Sequence, residues 1–235
     1  MMEKNIKITV ITCLLAVVLV LVLTYLRITG DQTGSATAVT LTAEELRELG
    51  AVVYEEPVVL QPFSLTDHRG QVFSQNNLTG GWSLIFFGFT SCPDICPLTL
   101  AELSQFYKNL PVDTLAKDTK VIMVSVDPDR DTTEKLAEYM ATFHEDFVGV
   151  NGPYADVAAL AKQLFIAHSP PPSQASPQNE HAGHGVDAAA EDDYVIDHSG
   201  NILMINPEGR YHGFFDAAIQ DRELTQAYEA IRAAY

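Results

Sequence analysis

Residues 82–97, WSLIFFGFTSCPDICP, contain the features that decide the fold: an apolar run, a turn with two cysteines, and a proline before a helical pattern. Trp82 to Thr90 is mostly apolar and lacks helical spacing, which predicts a strand covered on both faces. Pro97 is followed by LTLAELSQFYKNL, whose apolar residues form a stripe typical of a helix with proline in its first turn. A strand is therefore predicted to deliver the chain to Cys92 and Cys96 just before a helix.

The remainder of the C-terminal part alternates strand and helix patterns. An apolar pair of segments around the turn from Asp67 to Gly70 predicts a hairpin. Further predicted elements are the strands 120–126 and 201–205 and the helices 132–143, 156–165 and 218–234, the first of these helices capped by Asp131 or Thr132. This alternation around a buried central pair of strands indicates an α/β sandwich with crossover connections.

The N-terminus contains an apolar segment, Ile8 to Leu26, that carries no charge. Its length matches the ~20 residues of a membrane-spanning helix. Lys4 and Lys7 precede it, and this charge bias places the N-terminus in the cytoplasm. The alternative is a cleaved signal peptide with a site at residues 36–38, but the apolar run exceeds the ~7–15 residues of a signal core. We expect residues 1–27 to be an uncleaved anchor.

Two further regions differ in composition from a folded domain. Residues 28–45 are rich in Gly, Thr, Ser and Ala and are predicted to be a flexible tether. The stretch near 169–193 is Pro-rich, then His-bearing, then acidic, and is predicted to be a disordered insert within the domain 46–235. His181 and His184 in this insert could form a weak metal site, but two solvated histidines are the favoured interpretation.

The charge of the chain excludes one class of partner. Lysine and arginine together number 14 against 31 aspartates and glutamates, so the formal net charge is −17 at pH 7. A protein of this sign is repelled by polyanions, which argues against nucleic acid and anionic lipid surfaces as partners.

The two cysteines admit three interpretations: a structural disulfide, a redox dithiol or a pair of metal ligands. A domain of this size does not need a disulfide for stability. If residues 92–96 turn into the helix, the side chains of Cys92 and Cys96 point to the same side. The positive end of the helix is expected to lower the pKa of both thiols and to favour thiolates. A thiolate pair suits metal binding or disulfide exchange, and the local motif does not choose between them.

A metal site needs ligands beyond two thiolates, which makes the histidines informative. Soft cysteine ligands joined by imidazole suit Cu(I), whereas zinc usually takes four ligands. His198 precedes the strand 201–205, and loops at strand ends meet at one edge of such a sheet, so it can approach the cysteine loop. Asp197 either orients the imidazole of His198 through a hydrogen bond or ends the loop as a turn residue.

Other polar residues have simpler explanations. The run from Asp127 to Asp131 resembles a metal-binding cluster of carboxylates, but a turn followed by a helix cap accounts for the same residues. The remaining histidines lack a partner motif and are predicted to be ordinary surface or loop residues: His68, His144, His168 and His212.

The motifs FTSCPDICP (89–97), VSVDPDRDT (124–132), YVIDHS (194–199) and INPEG (205–209) occur in this order. Their combination resembles the Sco/SenC/PrrC family of membrane-anchored, thioredoxin-like proteins, and the resemblance extends from about Pro57 to the C-terminus. It is much more specific than Cys-x-x-x-Cys-Pro alone. It implies an α/β, thioredoxin-like fold behind an N-terminal single transmembrane helix.

The resemblance also implies a metal and partners. The metal is copper, as Cu(I) and alternatively Cu(II), with Cys92, Cys96 and His198 as ligands. The implied role is assembly of the dinuclear copper site of cytochrome c oxidase, with the copper-accepting subunit of that oxidase as partner. Other periplasmic copper or thiol-redox proteins are further expected partners. The chain is then expected to cross the cell inner membrane once, with its folded domain in the periplasm.

Three functions remain open at this point. The first is a copper chaperone. The second is a thiol-disulfide oxidoreductase in which Cys92 and Cys96 form the redox pair that reduces the cysteines of the acceptor, so whether the chain is also an enzyme stays open. The third, a copper or redox sensor, ranks last because the sequence offers no signalling domain. His198 discriminates the first two, since a copper site should fail without it while disulfide exchange should largely survive.

Overall fold

A computed structural model of the chain describes residues 15–22, 24, 41–171, 173, 194 and 196–235. The chain divides into two compact units, the first from Met1 to Thr40 and the second from Leu41 to Ala233. Each unit is described by itself.

In the first unit, residues 15–22 and Thr24 are helical with exposed side chains. The hydroxyl of Thr24 donates a hydrogen bond to the carbonyl of Val20 (2.5 Å). Within the described residues, no helix has both the length and the apolar character needed to cross a membrane. Most of the predicted anchor, residues 1–27, and of the tether up to residue 40 lies outside the described residues. The anchor therefore stays a prediction.

The described part of the second unit is built on one eight-stranded sheet. Its strands are β1 (Ala51–Val59), β2 (Ser64–Asp67), β3 (Val72–Ser74), β4 (Trp82–Gly88), β5 (Thr119–Ser125), β6 (Val148–Asn151), β7 (Ile202–Ile205) and β8 (Arg210–Phe215). They lie in the order β1-β8-β7-β4-β5-β6-β2-β3. The neighbours β4, β5 and β6 are parallel, and the other pairs are antiparallel.

Five α-helices join or flank these strands in the second unit as described: α1 (Ala43–Glu48), α2 (Ile95–Asn109), α3 (Thr133–Ala141), α4 (Tyr154–Gln163) and α5 (Asp221–Ala234). Helices α2 and α3 connect the parallel strands β4, β5 and β6, as crossover connections require. The predicted α/β alternation and the predicted hairpin, β2 with β3, are confirmed. The strands β1, β6 and β8 were not predicted.

The start of the folded unit differs from the prediction. Thr42 caps α1 through a capping box, in which its hydroxyl accepts from the backbone of Glu45 and the Glu45 carboxylate accepts from the backbone of Thr42. Residues 41–45, predicted to be the end of the tether, therefore belong to the folded unit. The composition of this stretch, rich in small and polar residues, predicted a flexible segment. The capping box instead makes it the start of a helix.

The centre of the sheet fixes where the cysteines lie. All seven residues of β4 are buried, because β5 and β7 flank the strand and its faces are covered. Strands β4 and β5 pair in register from Trp82 opposite Thr119 to Gly88 opposite Ser125, so both end at the same edge. The cysteine loop that follows β4 consequently lies beside the loop that follows β5.

Candidate metal centre

A buried carboxylate braces the cysteine loop. Asp131 accepts hydrogen bonds from the backbone N–H of Thr90 (3.1 Å), from the hydroxyl of Thr90, and from the hydroxyl of Ser125 (2.6 Å). Burial raises the pKa of Asp131, and these hydrogen bonds act in the opposite direction. The cap of α3 is Thr132, whose hydroxyl accepts from the backbone of Lys135 (3.2 Å). Asp131 therefore ties the ends of β4 and β5 together and is not the helix cap.

Cys92 and Cys96 are free thiols at the start of α2, where Cys92 is partly exposed and Cys96 is buried. The backbone N–H of Cys92 donates to the carbonyl of Phe89 (3.2 Å), which closes the turn. Gly88 makes room for the buried sulfur. A side-chain carbon at this position would lie 3.0 Å from the sulfur of Cys96 and 2.7 Å from the ring of Phe86. The site thus depends on a glycine at the last position of β4.

His198 meets the buried cysteine directly. Its Nε2 lies 3.4 Å from the Sγ of Cys96, and its Nδ1 lies 3.3 Å from the carbonyl oxygen of Ser199. A proton on Nδ1 satisfies that carbonyl and leaves the lone pair of Nε2 directed at the sulfur. The rings of Phe86 and Phe89 contact the imidazole edge-on, each with a centroid distance of 5.9 Å. Burial lowers the pKa of His198, which favours the neutral ligand form.

The structure brings together all three residues that the resemblance implied as ligands. One donor atom each from Cys92, Cys96 and His198 lies within 4.8 Å of the other two. Two sulfurs and one imidazole nitrogen form a soft donor set that suits Cu(I). The residues present therefore fit copper.

The pKa expected for the cysteines was wrong for Cys96. Burial raises the pKa of the Cys96 thiol well above its ordinary range, and a hydrogen bond with Cys92 acts in the same direction. Loss of water around a fully buried thiolate costs more than the helix end contributes. A metal ion that bonds Cys96 must therefore displace its proton.

The segment that contains His198 is held by the chain that follows α4. Residues 167–169 and 197–199 form an antiparallel bridge, with His168 opposite His198. Its two hydrogen bonds run from Ser199 N to Ala167 O (2.9 Å) and from Ser169 N to Asp197 O (2.8 Å). Because Ser199 provides the carbonyl acceptor for the imidazole, the orienting role considered for Asp197 is filled by a backbone group instead.

A second polar cluster, formed by Asp127, Arg130 and Tyr194, holds the chain just before His198. Arg130 donates to buried Asp127 (Nε to Oδ2, 2.5 Å), and its guanidinium lies 3.6 Å from the ring centroid of Tyr194. Arg130 also donates to the carbonyl of Tyr194 (2.9 Å), and the hydroxyl of Tyr194 donates to Asp127 (2.6 Å). The acidic run after β5 is thus a turn, as predicted, and it also anchors the chain just before His198.

The other histidines are more involved in the fold than predicted. His68 Nδ1 accepts from the backbone of Gly149 (2.9 Å), and His212 lies on β8 with its ring edge-on to Trp82 (5.1 Å). His212 was predicted to be a surface or loop residue, and it lies in a strand with intermediate burial. Burial lowers the pKa of His68, His168 and His212. His181 and His184 lie outside the described residues, so the weak site considered there stays a prediction.

The family model for SCO1/SenC matches residues 53–233 of this chain. The mitochondrial SCO2 homolog of Bos taurus is 31% identical over 173 residues, which cover 74% of this chain and 59% of the relative. The mitochondrial SCO1 homolog of Homo sapiens is 32% identical over 175 residues, covering 74% and 52%. A putative copper-binding protein of Stutzerimonas stutzeri is 32% identical over 156 residues, covering 66% and 68%. The matched region is thus about half to two thirds of these relatives' length.

Solved structures show the same likeness. Copper-bound ScoI of Arabidopsis thaliana is 28% identical with a TM-score of 0.62, over 74% of this chain and 98% of that one. Copper-bound yeast Sco1 is 28% identical with a TM-score of 0.64, over 76% and 91%. Both were solved with copper. With the strand order, the donor group and these similarities together, the chain belongs to the SCO1/SenC family and has its thioredoxin-like α/β fold.

Proposed function

We propose that this chain binds copper through Cys92, Cys96 and His198 and delivers it to the copper-accepting subunit of cytochrome c oxidase. One observation carries the proposal: two thiol sulfurs and an imidazole nitrogen lie within 4.8 Å of one another although His198 is remote from the cysteines in sequence. The family resemblance and the copper-bound structures of the plant and yeast relatives support copper as the metal.

The exposure of the three residues suits delivery. Cys96 is buried and the ring of His198 packs edge-on against Phe86 and Phe89, whereas Cys92 lies on a partly exposed loop, so an acceptor can approach the metal from the side of Cys92. Ile95 and Leu98 beside the cysteines are 36% and 58% exposed and give the rim of the site an apolar character. Exchange of copper would therefore begin at Cys92, with a ligand of the acceptor replacing its thiolate.

The proposal includes a location. The uncharged run from Ile8 to Leu26, preceded by Lys4 and Lys7, supports a single inner-membrane anchor with the folded unit in the periplasm. There the site could also exchange copper or electrons with other periplasmic copper or thiol-redox proteins. A reporter enzyme that is active only in the periplasm, fused after Tyr235, should be active. An inactive fusion at normal expression would contradict this topology.

Competition for Cu(I) against a chromophoric chelator tests the copper site. The full chain should take up one copper tightly, and both Cys92→Ser/Cys96→Ser and His198→Ala should lose that binding. His144→Ala is the matched control, because His144 lies near exposed Asp146 (3.9 Å) and takes no part in the donor group. If His198→Ala binds copper as tightly as the wild type, the three-ligand site is wrong.

The thiols favour a second candidate function, reduction of a disulfide in the acceptor. Partly exposed Cys92 is placed to attack, and buried Cys96 is placed to resolve the mixed disulfide. The acceptor disulfide is reduced to two thiols, and Cys92 and Cys96 are oxidised to a disulfide that an external thiol reductant must reopen. His198→Ala should keep most of this exchange activity while Cys92→Ser abolishes it. Equal loss in both variants would contradict a metal-independent reductase.

A further inference from the structure

His168 is the cross-strand neighbour of His198. The two residues face each other in the antiparallel bridge, and the hydrogen bonds of that bridge are made by the residues on either side of them. This pattern defines a non-hydrogen-bonded pair, in which the two side chains project from the same face. The Cβ atoms of such a pair are typically ~4.5–5.5 Å apart. The backbone therefore places the side chains of His168 and His198 on the same face, starting from neighbouring Cβ atoms.

His168 carries a buried nitrogen that lacks a partner. Its Nε2 is buried and has no hydrogen-bond partner within the part of the chain that the structure describes. The ring contacts Tyr154 edge-on, with a centroid distance of 5.7 Å. Burial of an unpaired polar atom is costly, and in native proteins such an atom usually has an ion, a water or a functional role to account for it. Nothing in the described fold uses this nitrogen.

The donor group near His168 serves one oxidation state of copper better than the other. Two thiolates and one imidazole suit Cu(I), whereas Cu(II) favours a tetragonal site with more nitrogen or oxygen ligands. His168 is not part of the group whose atoms lie within 4.8 Å. Its side chain has to move to join that group, and it starts from the residue paired with His198 across the bridge.

We propose that His168 is a fourth ligand, which this chain supplies to Cu(II) and not to Cu(I). The proposal rests on the copper-binding function above and deepens it: the His168–His198 pair makes the same site serve both oxidation states. Cys92, Cys96 and His198 are sufficient to bind Cu(I) without His168. The proposed Cu(II) site therefore differs from the Cu(I) site by one additional imidazole ligand.

The test compares both oxidation states in one background. The full chain carries His181→Gln and His184→Gln, so that these two histidines cannot bind Cu(II). In this background His168→Phe removes the nitrogen and keeps an aromatic ring against Tyr154. His212→Phe is the matched control, because His212 also has a buried nitrogen without a partner among the described residues but packs against Trp82 at the opposite end of β4. Copper(II) sulfate and Cu(I) are each titrated against a competing chelator, and the Cu(II) complex is examined by electron paramagnetic resonance.

The expected result is selective. His168→Phe should weaken Cu(II) binding by ~10-fold or more, since even outer-shell partners of metal ligands contribute about 10–100-fold. It should leave Cu(I) binding unchanged and remove one nitrogen coupling from the Cu(II) spectrum, while His212→Phe changes none of these. Unchanged Cu(II) binding and spectrum in His168→Phe would overturn the proposal, and so would equal weakening for both oxidation states, which indicates a purely supporting role. A parent chain that binds neither oxidation state would instead refute the copper-binding function itself.

Discussion

Gly88 shows how strongly the site depends on a single residue. Any side chain there would meet Cys96 and the ring of Phe86 at less than ordinary contact distance. Gly88→Ala should therefore displace the buried sulfur, weaken Cu(I) binding and lower the free energy of unfolding by about 1–3 kcal/mol, as overpacking does.

Gly70→Ala provides the comparison for this prediction. Gly70 has a φ of +75° and open space around it, so alanine there strains the backbone far from the cysteines. It should lower the free energy of unfolding without changing the Cu(I) affinity measured by competition. Wild-type affinity in Gly88→Ala would show that the close approach to Cys96 is not needed for binding.

The buried pair of Arg130 and Asp127 gives a second prediction at this scale. Arg130→Met leaves the carboxylate of Asp127 without its cation, and breaking a buried pair in this way typically costs about 3–5 kcal/mol. The double variant Asp127→Asn/Arg130→Met should be more stable than Arg130→Met alone. Chemical denaturation measures both values. A double variant that is less stable than the single one would contradict the role of the buried charge.

At the residue scale, the sequence predicts the metal ligands better than it predicts the residues that hold those ligands in position. Cys92, Cys96 and His198 were implied as ligands by the family resemblance, which rests on short local motifs that are visible in the sequence. The bracing by Asp131 was missed, since it joins Thr90 to a residue 41 positions away. The contact of Arg130 with Tyr194 spans 64 positions. Such contacts exist only once β4 and β5 are paired, and no spacing rule encodes them.

At the scale of elements, burial decides which strands were predictable. Strand β4 is buried throughout and appears in the sequence as an unbroken apolar run. Strand β1 lies at the edge of the sheet and carries Glu55, Glu56 and Pro57, with an irregular register opposite β8. Its mixed composition resembles a loop until its partner is known. Strand β6 has the sequence VGVN and lacks the unbroken apolar run that made the equally short strand β7, ILMI, predictable.

His68 ties the turn after β2 to β6 and makes stability depend on pH. Its Nδ1 accepts from Gly149, and burial, followed by the charge of Arg69, lowers its pKa. The unfolded chain therefore binds the proton more readily than the folded one. The stabilising contribution is complete above about pH 6.5, the ordinary histidine pKa, and is lost as the pH falls through the lowered pKa of the folded state.

Replacement of His68 isolates this effect. Between about pH 7.5 and 5.5, on either side of the ordinary histidine pKa, the free energy of unfolding should fall less in His68→Gln than in the wild type. Glutamine offers an oxygen acceptor to Gly149 without titrating. Urea denaturation at both pH values measures this difference. If the free energy of unfolding falls equally in the two proteins, His68 does not contribute to the pH dependence of stability.

At the scale of the whole molecule, the candidate site lies entirely in the second unit. Its three residues and their supports all fall between Phe86 and Ser199. Deletion of residues 1–27 should therefore release the protein from the membrane fraction while leaving its Cu(I) affinity unchanged. Membrane fractionation and the same chelator competition provide both readouts. A truncated chain that stays with membranes would contradict the proposed anchor, and one that loses affinity would contradict the independence of the site.

The contact between Cys96 and His198 joins positions 102 residues apart along the chain. A metal ion held by both acts as a removable cross-link that closes this long loop, and any ligand bound only by the folded state adds to stability. Binding of a metal ion would therefore stabilise the fold around the site, and release of the ion would lower that stability again. The free energy of unfolding would then report whether the site holds a metal ion, without any direct measurement on the metal.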